Sequence, residues 1–196
     1  MSRARGRVRL RTLALVVVLA LLAFAGYAWY DYARFVRTPL NVAAAGASID
    51  FARGSSFKDM VRQIRRQGLS RAMPLYWRLL AEQQHAVGRL HAGEYALHPG
   101  MTPRDLLANM AAGKVLLHLF TIVDGWNFRE LRAALDKAER LRHDSQGLDD
   151  AALMQRLGHA GAMPEGRFLP ETYAYVKGDS DLDILRRAYA AMDKTL

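Results

Sequence analysis

The sequence predicts an α+β fold carried behind a single N-terminal transmembrane helix. Three observations predict it. An uncharged run of 18 residues, Leu13 to Tyr30, follows five arginines. Beyond it, short segments of strand length alternate with apolar stripes of helical period. The chain contains no cysteine, so an apolar core, not disulfides, must hold the folded part.

The run LALVVVLALLAFAGYAWY is apolar apart from its tyrosines and one glycine. At ~1.5 Å rise per residue its length is near the minimum that spans a hydrocarbon core. Arg3, Arg5, Arg7, Arg9 and Arg11 precede it, and no acidic residue occurs before Asp31. Basic flanks stay in the cytoplasm. Residues 1–11 are therefore read as a cytoplasmic tail, residues 12–30 as the membrane span, and the remainder as lying on the other side. Tyr27, Trp29, Tyr30 and Tyr32 cluster at the far end, where amphipathic rings favour the interface. A cleaved signal peptide is the alternative, with Ala23-Phe24-Ala25 fitting the small-x-small rule. The run exceeds a usual signal core, so the uncleaved anchor is preferred. A mature N-terminus at Gly26 would overturn it.

About 165 residues remain beyond the anchor, enough for one or two small domains. Of 28 Lys and Arg residues five lie before Leu13, so 23 face 19 acidic residues in the rest of the chain. Much of the basicity is thus a targeting signal, and no nucleic-acid partner is expected.

Residues 31–46 read as a tether, with the featureless Ala43-Ala44-Ala45-Gly46-Ala47 at its end. Ile49 and Phe51 alternate with polar neighbours, as in a short strand. Ser56 is placed to cap a helix whose stripe is Phe57, Met60, Val61 and Ile64, with Gly68 at its end. Arg62, Arg65 and Arg66 lie on the other face. A solvated face is the ordinary reading and attraction to an anionic polymer the sharper one. A helix from about Met73 to His85 has Pro74 in its first turn, and Leu75, Trp77, Leu79 and Leu80 as its expected buried set. Gly93 to Leu97 reads as a strand. Thr102-Pro103 opens a third helix, ending at Gly113. Val115 to Val123 reads as a strand, and Asn127 with Glu130 as a capping box. The helix that follows carries Leu131, Ala134, Leu135 and Ala138. Residues 143–147 read as a loop and Leu148 to Leu157 as a short helix. Met163 to Val176 is aperiodic. Ser180 or Asp181 caps a last helix with Ile184, Leu185, Ala188, Tyr189 and Met192 on one face.

Phosphate-loop, dinucleotide, zincin and nucleophile-elbow motifs are absent. The six histidines lack metal-ligand spacing, so neither a metal nor a cofactor is expected. One segment stands out: Met163-Pro164-Glu165-Gly166-Arg167-Phe168-Leu169-Pro170-Glu171-Thr172-Tyr173. Pro164 restricts the backbone before Glu165, and Gly166 permits close approach of another chain. Phe168 and Leu169 could enclose the carboxyl, which would disfavour its charged form and suit it to donate a proton. A structural glutamate in a surface turn is the competing reading. Glu171 is the obvious second carboxylate, but spacing does not bring the two face to face, and an acid after proline more often caps a turn.

Four ordered blocks carry a resemblance. They are Arg53-Gly54-Ser55-Ser56-Phe57, Leu90-His91-Ala92-Gly93-Glu94-Tyr95-Ala96-Leu97-His98-Pro99-Gly100-Met101-Thr102, Leu119-Phe120-Thr121-Ile122-Val123-Asp124-Gly125-Trp126, and Glu165-Gly166-Arg167-Phe168-Leu169-Pro170-Glu171-Thr172-Tyr173. The chain resembles the endolytic murein transglycosylase family, also called MltG or YceG-like. The resemblance implies a LysM-like small α/β module over 47–118 and the front part of a catalytic domain over 119–196. It implies an inner-membrane protein with its bulk in the periplasm, and peptidoglycan glycan strands, the lipid bilayer and cell-wall synthesis machinery as partners. The implied reaction is non-hydrolytic cleavage of the MurNAc–GlcNAc bond, leaving a 1,6-anhydro-MurNAc end. Glu165 takes the place of the family's catalytic glutamate, with Phe168, Glu171 and Tyr173 as candidate substrate contacts. Such a reaction needs only one carboxylate, because the sugar's own C6 hydroxyl attacks the anomeric carbon and no water has to be placed. The family's later blocks, an E-K-E-[ST]-like stretch and a downstream N-R-L, have no counterpart, so the chain is expected to be a truncated form.

Overall fold

The computed structural model describes residues 3–195, with side chains described from Leu13 onward. Met1, Ser2 and the side chains of the five leading arginines lie outside the described residues. Two units are resolved. The first comprises the chain through Ile49, Gly54–His91 and Leu97–Gly113; the second comprises Asp50–Arg53, Ala92–Ala96 and Lys114–Leu196.

In the first unit a helix, α1, spans Arg3–Arg37. Its stretch from Leu13 to Arg37 is long and apolar enough to cross a membrane, and the rest of the chain buries none of its apolar window. The helix continues through the first half of the segment expected to be a tether. The reason is packing: Tyr32 and Phe35 are buried, Phe35 meets the Trp77 ring edge-on at 5.3 Å, and Tyr32 meets Tyr76 at 5.6 Å. The Tyr76 hydroxyl donates to Asp31 Oδ2 at 2.8 Å and the Tyr32 hydroxyl to Gln83 Oε1 at 2.6 Å. Beyond the helix, the Leu40 and Asn41 amides donate to the carbonyls of Met101 and Leu69. The segment is docked, with little slack.

Strand β1 (Ala47–Phe51) pairs with β2 (Gly93–Leu97). Helices α2 (Phe57–Arg66), α3 (Pro74–Gln83) and α4 (Pro103–Ala111) belong to the first unit. Met60, Val61 and Ile64 form the buried stripe of α2. The buried set of α3 is Trp77, Leu80 and Ala81, whereas Leu75 and Leu79 are 55% and 39% exposed. Trp77, Leu80 and Ala81 share a face at i, i+3, i+4, and the helical period turns Leu75 and Leu79 away from it.

Capping boxes start α2 at Ser56/Asp59 and α4 at Thr102/Asp105. The Thr102 hydroxyl and amide hydrogen bonds hold the Asp105 carboxyl below its ordinary range, and Ser56 does the same for Asp59. An acid whose folded pKa is depressed stabilises above its unfolded pKa, and that stability is lost as pH falls through the folded value. Melting temperature is therefore expected to drop below about pH 4. The drop should shrink in the Asp59→Asn/Asp105→Asn variant, as read by circular dichroism melts.

Gly93 takes φ +143°, and a Cβ there would stand 2.7 Å from Val115 Cγ1. Gly93→Ala is expected to cost about 1–3 kcal/mol. Adding Val115→Ala should relieve the clash but not the backbone strain, and urea titration of both variants checks this.

The second unit carries β3 (Leu117–Thr121), α5 (Phe128–Leu135), α6 (Asp150–Leu157), β4 (Thr172–Val176) and α7 (Asp181–Asp193). Strands β3 and β4 run antiparallel, with Phe120 opposite Tyr173 and Thr121 opposite Thr172. Phe120, Tyr173 and Tyr175 face inward, while Leu117 and Leu119 remain exposed. Burial raises the hydroxyl pKa of Tyr173 and Tyr175. Phe128, Leu131 and Leu135 of α5 pack in this core with Leu153, Met154 and Leu157 of α6, and with Ile184, Leu185, Ala188 and Tyr189 of α7. Ala134 and Ala138 are only partly buried. Strand β4 corrects the aperiodic reading of residues 163–176. Thr172 to Val176 does alternate, but prolines and glycines upstream mask the pattern.

Candidate active site

Glu165 sits in a tight turn. The Arg167 amide donates to the Pro164 carbonyl at 3.2 Å, which leaves Glu165 and Gly166 as the two central residues. Gly166 adopts φ +69°, and a Cβ there would meet nothing within 4 Å. Its glycine serves the turn geometry, not the close chain approach expected from the sequence.

The carboxylate is aimed by α5. Asn127 caps that helix: its side chain accepts from the Glu130 amide, and the Glu130 side chain accepts from the Asn127 amide. The box leaves the Phe128 amide, in the first helical turn, without an intrahelical acceptor. That amide donates to Glu165 Oε2 at 3.1 Å, across 37 residues of sequence. Among the described residues no donor reaches Oε1, which remains available to a ligand.

Glu165 is exposed, so the apolar enclosure expected from Phe168 and Leu169 is not formed. Phe168 is buried, stacked on Phe128 at 5.3 Å and edge-on to Tyr189 at 5.9 Å. It forms core beneath the turn. Tyr173 is also buried, and its hydroxyl donates to the Leu169 carbonyl at 2.8 Å. Glu171 is exposed, and its main-chain carbonyl accepts from the Ile122 amide. It does not line the cleft beside Glu165. Of the four candidates, Glu165 alone lines the larger cleft, and Phe168 joins it in lining a smaller hollow alongside.

That cleft, of about 770 Å³, runs between the start of α5 and the 163–165 segment. Arg129, Arg132 and Met163 are on its walls. Arg132 is committed to structure, pairing with Asp150 at 3.1 Å and donating to the carbonyls of Leu148 at 2.7 Å and Ser145 at 3.2 Å. Arg129 is exposed and has no carboxylate partner among the described residues. A smaller hollow beside it adds Trp126, which is 36% exposed, to the surroundings of Glu165. The arrangement can present one carboxylate oxygen to a ligand beside a cation and an aromatic face.

The YceG-like family model matches residues 49–196. The chain belongs to the YceG-like family. A solved structure of a yceG-like protein from Listeria monocytogenes is 16% identical, over 78% of this chain and 55% of that one, with a TM-score of 0.39. This YceG-like chain thus spans about 55% of the length of that relative. No curated protein matches.

Sequence reading found Glu165 and the Asn127 box separately. It missed that the box frees the Phe128 amide for Glu165, and it missed Arg129 and Trp126 as neighbours of the carboxylate. The usable signal was the orphan amide that any capped helix start leaves. Which acceptor it takes depends on tertiary packing, which spacing does not encode.

Proposed function

We propose that this chain acts as an endolytic peptidoglycan lytic transglycosylase. It would cleave nascent glycan strands at MurNAc–GlcNAc bonds, leave 1,6-anhydro-MurNAc ends and terminate elongation, with Glu165 as the acid–base residue. The observation that carries this reading is the Glu165 carboxylate, fixed through Oε2 by the Phe128 amide and open to the cleft through Oε1. Membership of the YceG-like family supports it.

In this reading Glu165 protonates the leaving glycosidic oxygen and then takes the proton of the C6 hydroxyl as that oxygen bonds to the anomeric carbon. The proton count closes with no water consumed. One carboxylate suffices, which agrees with Glu171 lying outside the cleft lining. Preorganised donors favour the charge that develops in the transition state, and Asn127 and Arg129 are polar groups on the same cleft wall. Tyr173 and Phe168 would act by holding the floor of the site. The first folded part, residues 47–118, would serve as a LysM-like glycan-binding module. The chain would sit in the bacterial inner membrane with its N-terminus cytoplasmic and its bulk periplasmic, close to the cell-wall synthesis machinery.

Muropeptide mass spectrometry of purified sacculi tests this. Wild-type protein should release anhydro ends, not reducing ends, and Glu165→Gln should release neither. The second reading is a membrane-tethered glycan-binding scaffold without catalysis, and the exposure of Glu165 is what favours it. Sedimentation with sacculi without product formation would support that alternative.

A further inference from the structure

The helices of the first unit leave a basic groove that glycan cleavage does not use. It lies between α2 and α3 and measures about 1000 Å³. Six cations line it: Lys58, Arg62, Arg65, Arg66, Arg71 and Arg78. No acidic residue does. Asp59 pairs with Arg62 at 3.0 Å and Glu82 with Arg78 at 2.9 Å. Among the described residues Lys58, Arg65, Arg66 and Arg71 have no ion-pair partner. The floor is apolar, with Phe57, Val61, Pro74 and an exposed Leu75. Cations around an apolar strip are the composition of a surface that lies in a membrane interface.

The position agrees with the chemistry. Asp31 follows directly on the uncharged run that ends at Tyr30, and it accepts the Tyr76 hydroxyl of α3. Ser70 and Arg71 line both this groove and the hollow beside Asp31 and Arg34 at the end of α1. The docked segment after α1 leaves little freedom for the groove to leave that level. A free polyanion or a nucleic-acid duplex would need no apolar floor, and a single strand would need stacking rings, of which the groove offers only Phe57.

We infer that the α2–α3 groove binds the anionic lipid headgroups of the bilayer that α1 enters, with Arg65, Arg66 and Arg71 on the phosphates and Leu75 among the upper acyl carbons. The inference rests on α1 spanning that bilayer and is independent of catalysis at Glu165. Each such arginine strengthens attraction to an anionic surface, so the groove would hold the first unit against the membrane.

The chain has no cysteine, so Leu75→Cys carries a single bimane label. The labelled full chain is placed in nanodiscs containing spin-labelled lipid, either wholly phosphatidylcholine or one third phosphatidylglycerol. Lipid quenching is expected in the anionic discs. The docked fraction should fall about tenfold or more when Arg65, Arg66 and Arg71 are replaced by Gln, and in about 0.5 M salt. Circular dichroism confirms that the variant is folded. Equal quenching in both lipids, or quenching that survives the triple substitution, overturns the assignment while leaving α1 as an anchor. Displacement by heparin equally well at low and high anionic-lipid content also overturns it, in favour of a polyanion site. A chain that fails to enter discs of either kind overturns the membrane-spanning reading and the groove assignment together.

Discussion

Replacing Glu165 with Gln is expected to lower the release of anhydro-muropeptide ends by about 10²- to 10⁴-fold and to leave the fold unchanged. Gln preserves the length and shape of the side chain, and its amide oxygen can still accept from the Phe128 amide that now holds Oε2 at 3.1 Å. Position is kept while the acid–base function of the carboxyl is lost, so the variant isolates the chemistry. Because Glu165 is exposed and its turn is closed by the Pro164–Arg167 backbone bond, melting temperature should not move. Glu165→Asp retains the proton but retracts it by one methylene, away from Phe128. Its loss should therefore fall between wild type and Gln. Binding to sacculi should be equal in all three proteins. Release by Glu165→Gln at the wild-type rate would remove Glu165 from the mechanism.

The two halves of that site differ in how legible they were. The glutamate stands out in the sequence because its neighbours are chemically unusual: a proline before it and a glycine after it specify a turn whatever the rest of the chain does. Helix starts were found for the same local reason, and Ser56, Thr102, Asn127 and Ser180 all cap as expected. Burial was less legible. Leu75 and Leu79 are apolar, yet their helix turns them outward, because Trp77 decides which face of α3 meets the core. Tyr173 and Phe168 were candidate ligand contacts, and aromatic side chains serve both interfaces and interiors. Only the pairing of β4 with β3 commits Tyr173 to the inside. The extension of α1 to Arg37 likewise depends on Tyr76 and Trp77, some forty residues downstream.

Asp181→Ala should cost about 3–5 kcal/mol, as much as emptying a large aromatic core site. Asp181 is fully buried at the start of α7. Its carboxylate accepts the Ser145 amide at 3.2 Å, the Leu182 amide at 2.7 Å and the Ser145 hydroxyl. Alanine leaves these donors in a dry interior, and each unsatisfied group costs about 1–3 kcal/mol. A small domain is typically stable by about 5–15 kcal/mol in total, so much of the second unit's stability is at stake. Ser145→Ala removes one hydroxyl and should cost about 1 kcal/mol. Asp181→Asn keeps one acceptor oxygen and should fall between. The consequence reaches the cleft, because the Ser145 carbonyl is one of the acceptors that hold Arg132 on its wall. Urea titration gives the stability loss, and hydrogen exchange of peptides from 128–150 gives its location. Exchange should quicken there in Asp181→Ala and stay unchanged in Glu165→Gln. An Asp181→Ala protein within about 1 kcal/mol of wild type would mean that loop 143–147 is held by other contacts, and that Arg132 keeps its place without the buried aspartate.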